Sequence, residues 1–161
     1  MNELPKRKKN RLDKSHYIEN STYYVTICSK NKRRIFSRIV KSSDIDNFPY
    51  VELTDIGKTV DFSINSIEKH YDSVTVENYV IMPDHIHLMF TVNNADGRMI
   101  SAPTVVGSMK RYVSRKTGLD LWQKGFYDHI IRDDSDFEIK WNYIAENPLR
   151  WILKHNNITH Y

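Results

Sequence analysis

Apolar residues along this chain alternate with polar ones in some stretches and recur every three or four positions in others. That change of period divides it into elements. Thr22-Tyr23-Tyr24-Val25-Thr26-Ile27-Cys28 is dense in β-branched and aromatic residues and predicts a first strand. Ser29 to Arg34 reads as a basic loop, its far end anchored in the core by Ile35 and Phe36. Ile56, Val60, Ile64 and Ile67 form one helical stripe behind Thr54, a suitable N-cap, and predict a helix over 54–70. Two strand-like runs follow over 73–82 and 85–92, joined by the turn pair Pro83-Asp84. A second helix begins between Ser101 and Thr104, with Pro103 tolerated in its first turn and Gly118 as its stop. Val105, Val106, Met109, Tyr112 and Val113 would be its inner side. The run over 126–131 predicts a fourth strand. Ser135-Asp136-Phe137-Glu138 has the form of a capping box, opening a last helix with Phe137, Trp141 and Ile144 inward. Pro148 should end that helix near Asn147, because the residue before a proline is pushed away from helical backbone.

Strand, helix, strand, strand, helix, strand is the split βαβ order. The expected class is α+β: a ferredoxin-like antiparallel sheet with two helices on one face, plus a C-terminal helix. Within the third strand His85 and His87 are two apart, so both imidazoles leave the same face of the sheet. Ile86, Leu88 and Phe90 point the other way and should meet the helices, which leaves the histidine face for the last helix to cover. Two imidazoles fixed on a strand are the beginning of a metal site, although a lone pair of histidines is common without one. On the last helix Tyr143 and Asn147 lie one turn apart, with Lys140 and Asp136 on the same arc. Periodicity alone makes Tyr143 a boundary residue and Asn147 a helix-ending residue.

At 161 residues the chain is the size of one domain, expected to comprise a basic arm over 1–15 and a single folded unit over 16–161. Hydrophobic residues are 40% and charged residues 27%, a globular balance that excludes global disorder. The net charge of +4 is small, yet the basic residues crowd into 6–11, 30–38 and 110–116, which suggests a polyanion footprint. Cys28 is the only cysteine, so neither a disulfide framework nor a cysteine-based zinc site is available. No run approaches membrane-spanning length, and the expected location is the cytoplasm, in association with the nucleoid.

The segments MPDHIHLMF, LWQKGFYDHIIR and YIAENPLRW, in that order, resemble the single-tyrosine HUH nucleases. Among these they are most similar to the small transposases of insertion sequences and the REP-associated tyrosine transposases. The resemblance runs from about Thr22 to Trp151. HIH alone is weak; HIH followed at this distance by YIAENP is specific. The family has a ferredoxin-like core. The resemblance implies that His85 and His87 bind a divalent metal, Mg²⁺ or Mn²⁺, with Asn147 as the third ligand and Tyr143 as the nucleophile. It also implies single-stranded or hairpin DNA as the partner, cleaved and rejoined through a 5′-phosphotyrosine.

A free phenol ionises near pH ~10, so the attack needs activation, and Lys140, one turn from Tyr143, is the candidate auxiliary residue. Arg33, Arg34, Lys110, Arg111 and Arg115 are the candidate phosphate contacts. Tyr112 and Trp122 could stack on unpaired bases, although core packing suits each better. Asp120 to Lys124 lie in a connection of suitable length for a hairpin contact. His129 and Arg132 read as structural groups at a sheet edge; His16, His70, His155 and His160 carry no signal. Two other functions compete. A non-catalytic nucleic-acid module would use the free sheet face, and a metal-dependent phosphodiesterase would use water in place of Tyr143. The sequence leaves open whether the tyrosine helix serves its own chain or is exchanged across a homodimer.

Overall fold

The structure, a computed structural model, describes residues 20–41, 48–94 and 100–156; the expected arm over 1–15 lies outside them. In chain order the elements are β1 (Ser21–Cys28), β2 (Ser37–Val40), β3 (Tyr50–Leu53), α1 (Asp55–Asn65), α2 (Ile67–His70), β4 (Val74–Ile81), β5 (His85–Val92), α3 (Ala102–Thr117), β6 (Tyr127–Ile130) and α4 (Asp134–Asn156). β4-β5-β1-β6 is an antiparallel sheet in the ferredoxin-like order, with β5 and β1 at its centre. The expected α+β fold is the one observed.

One face of this sheet is the main core. Tyr23, Val25 and Ile27 of β1 and Ile86, Leu88 and Phe90 of β5 are fully buried there, against Val60 and Ile64 of α1 and Val105, Val106, Met109 and Val113 of α3. Each of these large side chains, fully buried, contributes roughly 1.5–3 kcal/mol of transfer free energy, so this layer fixes the register of both central strands. Both helices start where the sequence places them. Thr54 Oγ1 accepts from Gly57 N at 3.0 Å, and Ser101 Oγ accepts from Thr104 N at 3.3 Å. Gly118 closes α3 with φ 71°, the left-handed conformation that glycine adopts without steric cost.

Several details differ from the sequence reading. The helix expected over 54–70 is broken at Ser66 into α1 and α2. Tyr112, expected inward, is 39% exposed and stacks on Phe62. The hairpin β2–β3 was not expected, because strands of four residues pairing mainly with each other leave no measurable period. The last helix is capped by Asp133, whose Oδ1 accepts from Asp136 N at 2.8 Å, and not by Ser135. It also does not stop at Asn147: α4 continues through Pro148 to Asn156. Pro148 lacks an N–H and costs a hydrogen bond, but its far side is held by tertiary contacts. The Trp151 ring lies 6.1 Å from His85 and 5.2 Å from the Arg34 guanidinium, and Arg150 pairs with Glu146 across the proline at 2.9 Å. No helix among the described residues is long and apolar enough to cross a membrane.

Candidate active site

Residues opposite each other in an antiparallel pair share a face, so the second face of the sheet can be read from the register. β1 pairs Thr26 with His87 and Cys28 with His85, and Tyr24 with Met89. α4 packs across this face, with Ile144 buried against Tyr24 and Met89 and Phe137 beside them. Trp141, expected inward with Phe137, is 41% exposed and stacks on it instead. A nucleic-acid module that used this sheet face would need it open, and α4 occupies it.

The imidazoles meet at their outer nitrogens, with His85 Nε2 and His87 Nε2 3.1 Å apart. Their other nitrogens are engaged. His85 Nδ1 lies 2.6 Å from the Asp84 carboxylate, and His87 Nδ1 lies 2.7 Å from Tyr24 Oη and 3.0 Å from Thr26 Oγ1. A carboxylate at Nδ1 holds the His85 proton there and leaves the Nε2 lone pair facing His87. Desolvation by burial lowers both imidazole pKa values, that of His87 to about 3, with the neighbouring His85 adding to the effect there. Both rings are therefore neutral ligands at neutral pH. Burial likewise drives the Tyr24 phenol far above its ordinary range, so it stays a hydroxyl.

Asn147 is only 5% exposed; its Nδ2 donates to Tyr143 O at 3.2 Å, and the amide also hydrogen-bonds His85. Two Nε2 atoms 3.1 Å apart, beside the buried amide of Asn147, fit a divalent cation once His87 carries its proton on Nδ1. Three donors leave coordination positions open for a phosphate, as a catalytic site requires. Among the described residues no cluster of three or more His, Cys, Asp or Glu side chains could hold a metal, here or elsewhere, so the third donor at this site would be the Asn147 amide.

The Tyr143 ring stands 5.3 Å from His87 and 6.4 Å from Tyr24, edge-on to both, and the residue is 37% exposed at the wall of a cleft. α4 of the same chain brings it there. The cation over its ring is Arg150, at 5.2 Å; Lys140 lies over the Tyr24 ring, at 5.0 Å. Beyond Tyr143 opens a cleft of about 370 Å³ lined by Lys32, Asp84, His85, Asn147, Arg150, Trp151, Lys154 and His155.

The predicted phosphate contacts are not all at this cleft. Arg34 borders it through Trp151, and Arg33 is held beside it, donating to Asp120 O at 2.8 Å. Lys110, Arg111 and Arg115 are on α3, behind the sheet, and Lys110 Nζ is committed to Gln123 O and Gly125 O at 3.0 Å each. Trp122 is half-buried on Phe36, and its Nε1 donates to Lys110 O. His129 and Arg132 are structural, as expected: His129 Nε2 and Arg132 N both bond Asp136, tying β6 to the start of α4. Sequence reasoning missed Tyr24, Thr26 and Asp84, which hold the imidazoles, and Lys32, Arg150, Trp151 and His155, which line the cleft. For the α4 residues a signal existed: Arg150, Trp151, Lys154 and His155 continue the spacing of Tyr143 and Asn147 once the helix passes the proline.

No protein-family model matches the chain. An uncharacterized protein of Haemophilus influenzae is 26% identical over 90% of this chain and 89% of its own length. The REP-associated tyrosine transposase of Escherichia coli is 28% identical over 48% of this chain, and the alignment spans only 47% of that protein. Among solved structures, a REP-associated tyrosine transposase bound to a REP hairpin superposes with a TM-score of 0.63 at 19% identity, over 93% of this chain and 74% of that one.

Proposed function

We propose that this chain is a tyrosine transposase that cleaves and rejoins single-stranded DNA at the His85–His87–Tyr143 centre, a reading supported by its partial likeness to a REP-associated tyrosine transposase and by the fold it shares with one. The observation that carries the reading is the placing of the partly exposed Tyr143 ring 5.3 Å from His87, whose Nε2 lies 3.1 Å from that of His85. His85, His87 and Asn147 would hold a divalent cation, which when bound polarises and orients the scissile phosphate.

Tyr143 Oη attacks phosphorus, the bond from phosphorus to the 3′-oxygen breaks, and the 5′-phosphate stays on the tyrosine. On balance the phenolic proton ends on the released 3′-hydroxyl. The phosphodiester energy is kept in the covalent link, and attack by a 3′-hydroxyl on that link reverses the step and rejoins the strand. Arg150, over the Tyr143 ring, is placed to hold the phosphate that the phenol attacks. Tyr24, Thr26 and Asp84 orient the imidazoles and do not touch substrate.

For DNA, Arg33 and Arg34 serve the strand at the centre. The turn Lys30–Lys32 is joined to the loop after α3 by the bonds from Lys30 N to Leu121 O and Gln123 N to Cys28 O. Lys110 abuts the far side of that loop. This gives a continuous basic path by which a hairpin arm reaches Arg111 and Arg115.

The test is trapping on denaturing gels, with a hairpin-bearing oligonucleotide and Mn²⁺. The wild-type chain should form a covalent protein–DNA adduct that Tyr143→Phe loses. Metal-dependent cleavage that survives Tyr143→Phe would instead mean that water is the nucleophile.

A further inference from the structure

Past Asn147, α4 presents a strip that the chemistry at phosphorus does not use. Trp151 and His155 stack with ring centroids 4.2 Å apart and planes 25° off parallel, and the Arg34 guanidinium lies 5.2 Å over the Trp151 ring. Three planar groups from two distant parts of the chain thus form one pile at the wall of the cleft that holds Tyr143. His155 Nδ1 is fixed by Trp151 O at 2.7 Å, which keeps its ring in the pile. Around it stand Lys32, Arg150 and Lys154. The acidic groups nearby are already paired, Asp84 with His85 and Glu146 with Arg150.

Planar π surfaces edged by cations bind unpaired nucleotides. Bases stack on aromatic rings and guanidinium planes, while cations take the phosphates. Lys32 reaches the cleft through two consecutive residues in the left-handed region, Asn31 at φ 57° and Lys32 at φ 54°. Non-glycine residues rarely adopt that backbone, and it tends to mark functional positions.

The geometry points to the outer face of the Arg34–Trp151–His155 pile as a stacking subsite for an unpaired base next to the scissile phosphate, with Lys32 and Lys154 on the flanking phosphates. The inference rests on the proposed chemistry only for where the strand lies. It explains why α4 runs on past Pro148: a helix ending at Asn147 would carry the nucleophile and no platform.

The test uses Tyr143→Phe protein, so that binding is read without cleavage, and a fluorescein-labelled twelve-nucleotide oligothymidylate titrated by anisotropy. Trp151→Ala removes the middle layer that holds the outer face in place and should weaken binding about tenfold, the scale of one lost base stack, while Trp151→Phe stays within about threefold. Trp141→Phe, elsewhere on α4, should change nothing. The same oligonucleotide with abasic sites, its phosphates intact, should bind the unchanged stack about as weakly as the thymine form binds Trp151→Ala. That arm needs no folded Trp151 variant. Equal binding of abasic and thymine probes overturns the inference. If wild-type protein still forms the covalent adduct in that case, the proposed function stands without the subsite. If binding depends on the bases and on Trp151 but no adduct ever forms, the subsite stands and the enzymatic reading fails.

Discussion

A buried hydroxyl decides how His87 can be used. Tyr24 Oη at 2.7 Å from His87 Nδ1 can accept that nitrogen's proton and free Nε2 for a cation, or donate to it and leave Nε2–H pointing at His85. Tyr24→Phe removes the partner while keeping the ring on which Lys140 and Tyr143 rest. Mn²⁺ affinity, followed by loss of the free-ion EPR signal, should fall about tenfold or more, as when outer partners of ligating histidines are removed, with no change in fold by circular dichroism. A second outcome follows from burial. The folded state holds His87 to a pKa of about 3, whereas the unfolded chain protonates it near ~6.5. The unfolded state therefore takes up the proton first. Stability of the metal-free protein should be full above pH ~6.5 and decline as pH falls from there towards 3. Melting temperatures across that window should drop less steeply in His87→Gln than in the parent.

At the scale of elements, the ends of helices and one close backbone approach carry the leverage. Asp133→Ala removes the cap of α4 and should cost about 1 kcal/mol in urea melts, since it leaves the Asp136 N–H without its acceptor. Gly57 is the residue where α1 meets the start of β2: a Cβ there would collide with the Phe36 carbonyl oxygen and stand 3.3 Å from Leu53 Cβ. Gly57→Ala should destabilise by about 3 kcal/mol, the scale of overpacking where backbone must yield, although alanine is the better helix former. The four strands of the main sheet and the first two long helices were legible because each buries one face and so carries a clean period. α4 was legible only up to Pro148. Past it the local rule for proline says stop, and the contacts that overrule it come from Arg34 and His85, far away in the chain.

Across the whole molecule, the basic residues split into two sets by the sheet. Arg34 lies on the side of the nucleophile, while Arg111 and Arg115 are exposed on α3 behind it, reached only round the loop at Asp120 that Lys30 and Arg33 grip. Removing a cation that neutralises one phosphate should flatten the dependence of log affinity on log salt by about 0.7 for single strands and 0.9 for duplex. Arg34→Ala should therefore flatten the slope for a short single strand and a hairpin alike. The pair Arg111→Ala and Arg115→Ala should flatten it for the hairpin only. Equal slopes for the pair and the parent on hairpin DNA would confine the interface to the cleft.

What the sequence determined by itself was the order of the main-sheet strands and long helices, the two-faced character of β5 and the helical spacing of Tyr143 to Asn147. These follow from local periodicity, and the burial of Ile86, Leu88 and Phe90 permits only one face for the histidines. Tertiary structure alone decided that Tyr24 and Thr26 would stand behind His87, and that the Arg34 guanidinium would reach the Trp151 ring. Each of those depends on strand pairing or on the path of a helix across a sheet. Such contacts join residues with no periodic relation to one another, so no window along the chain contains them.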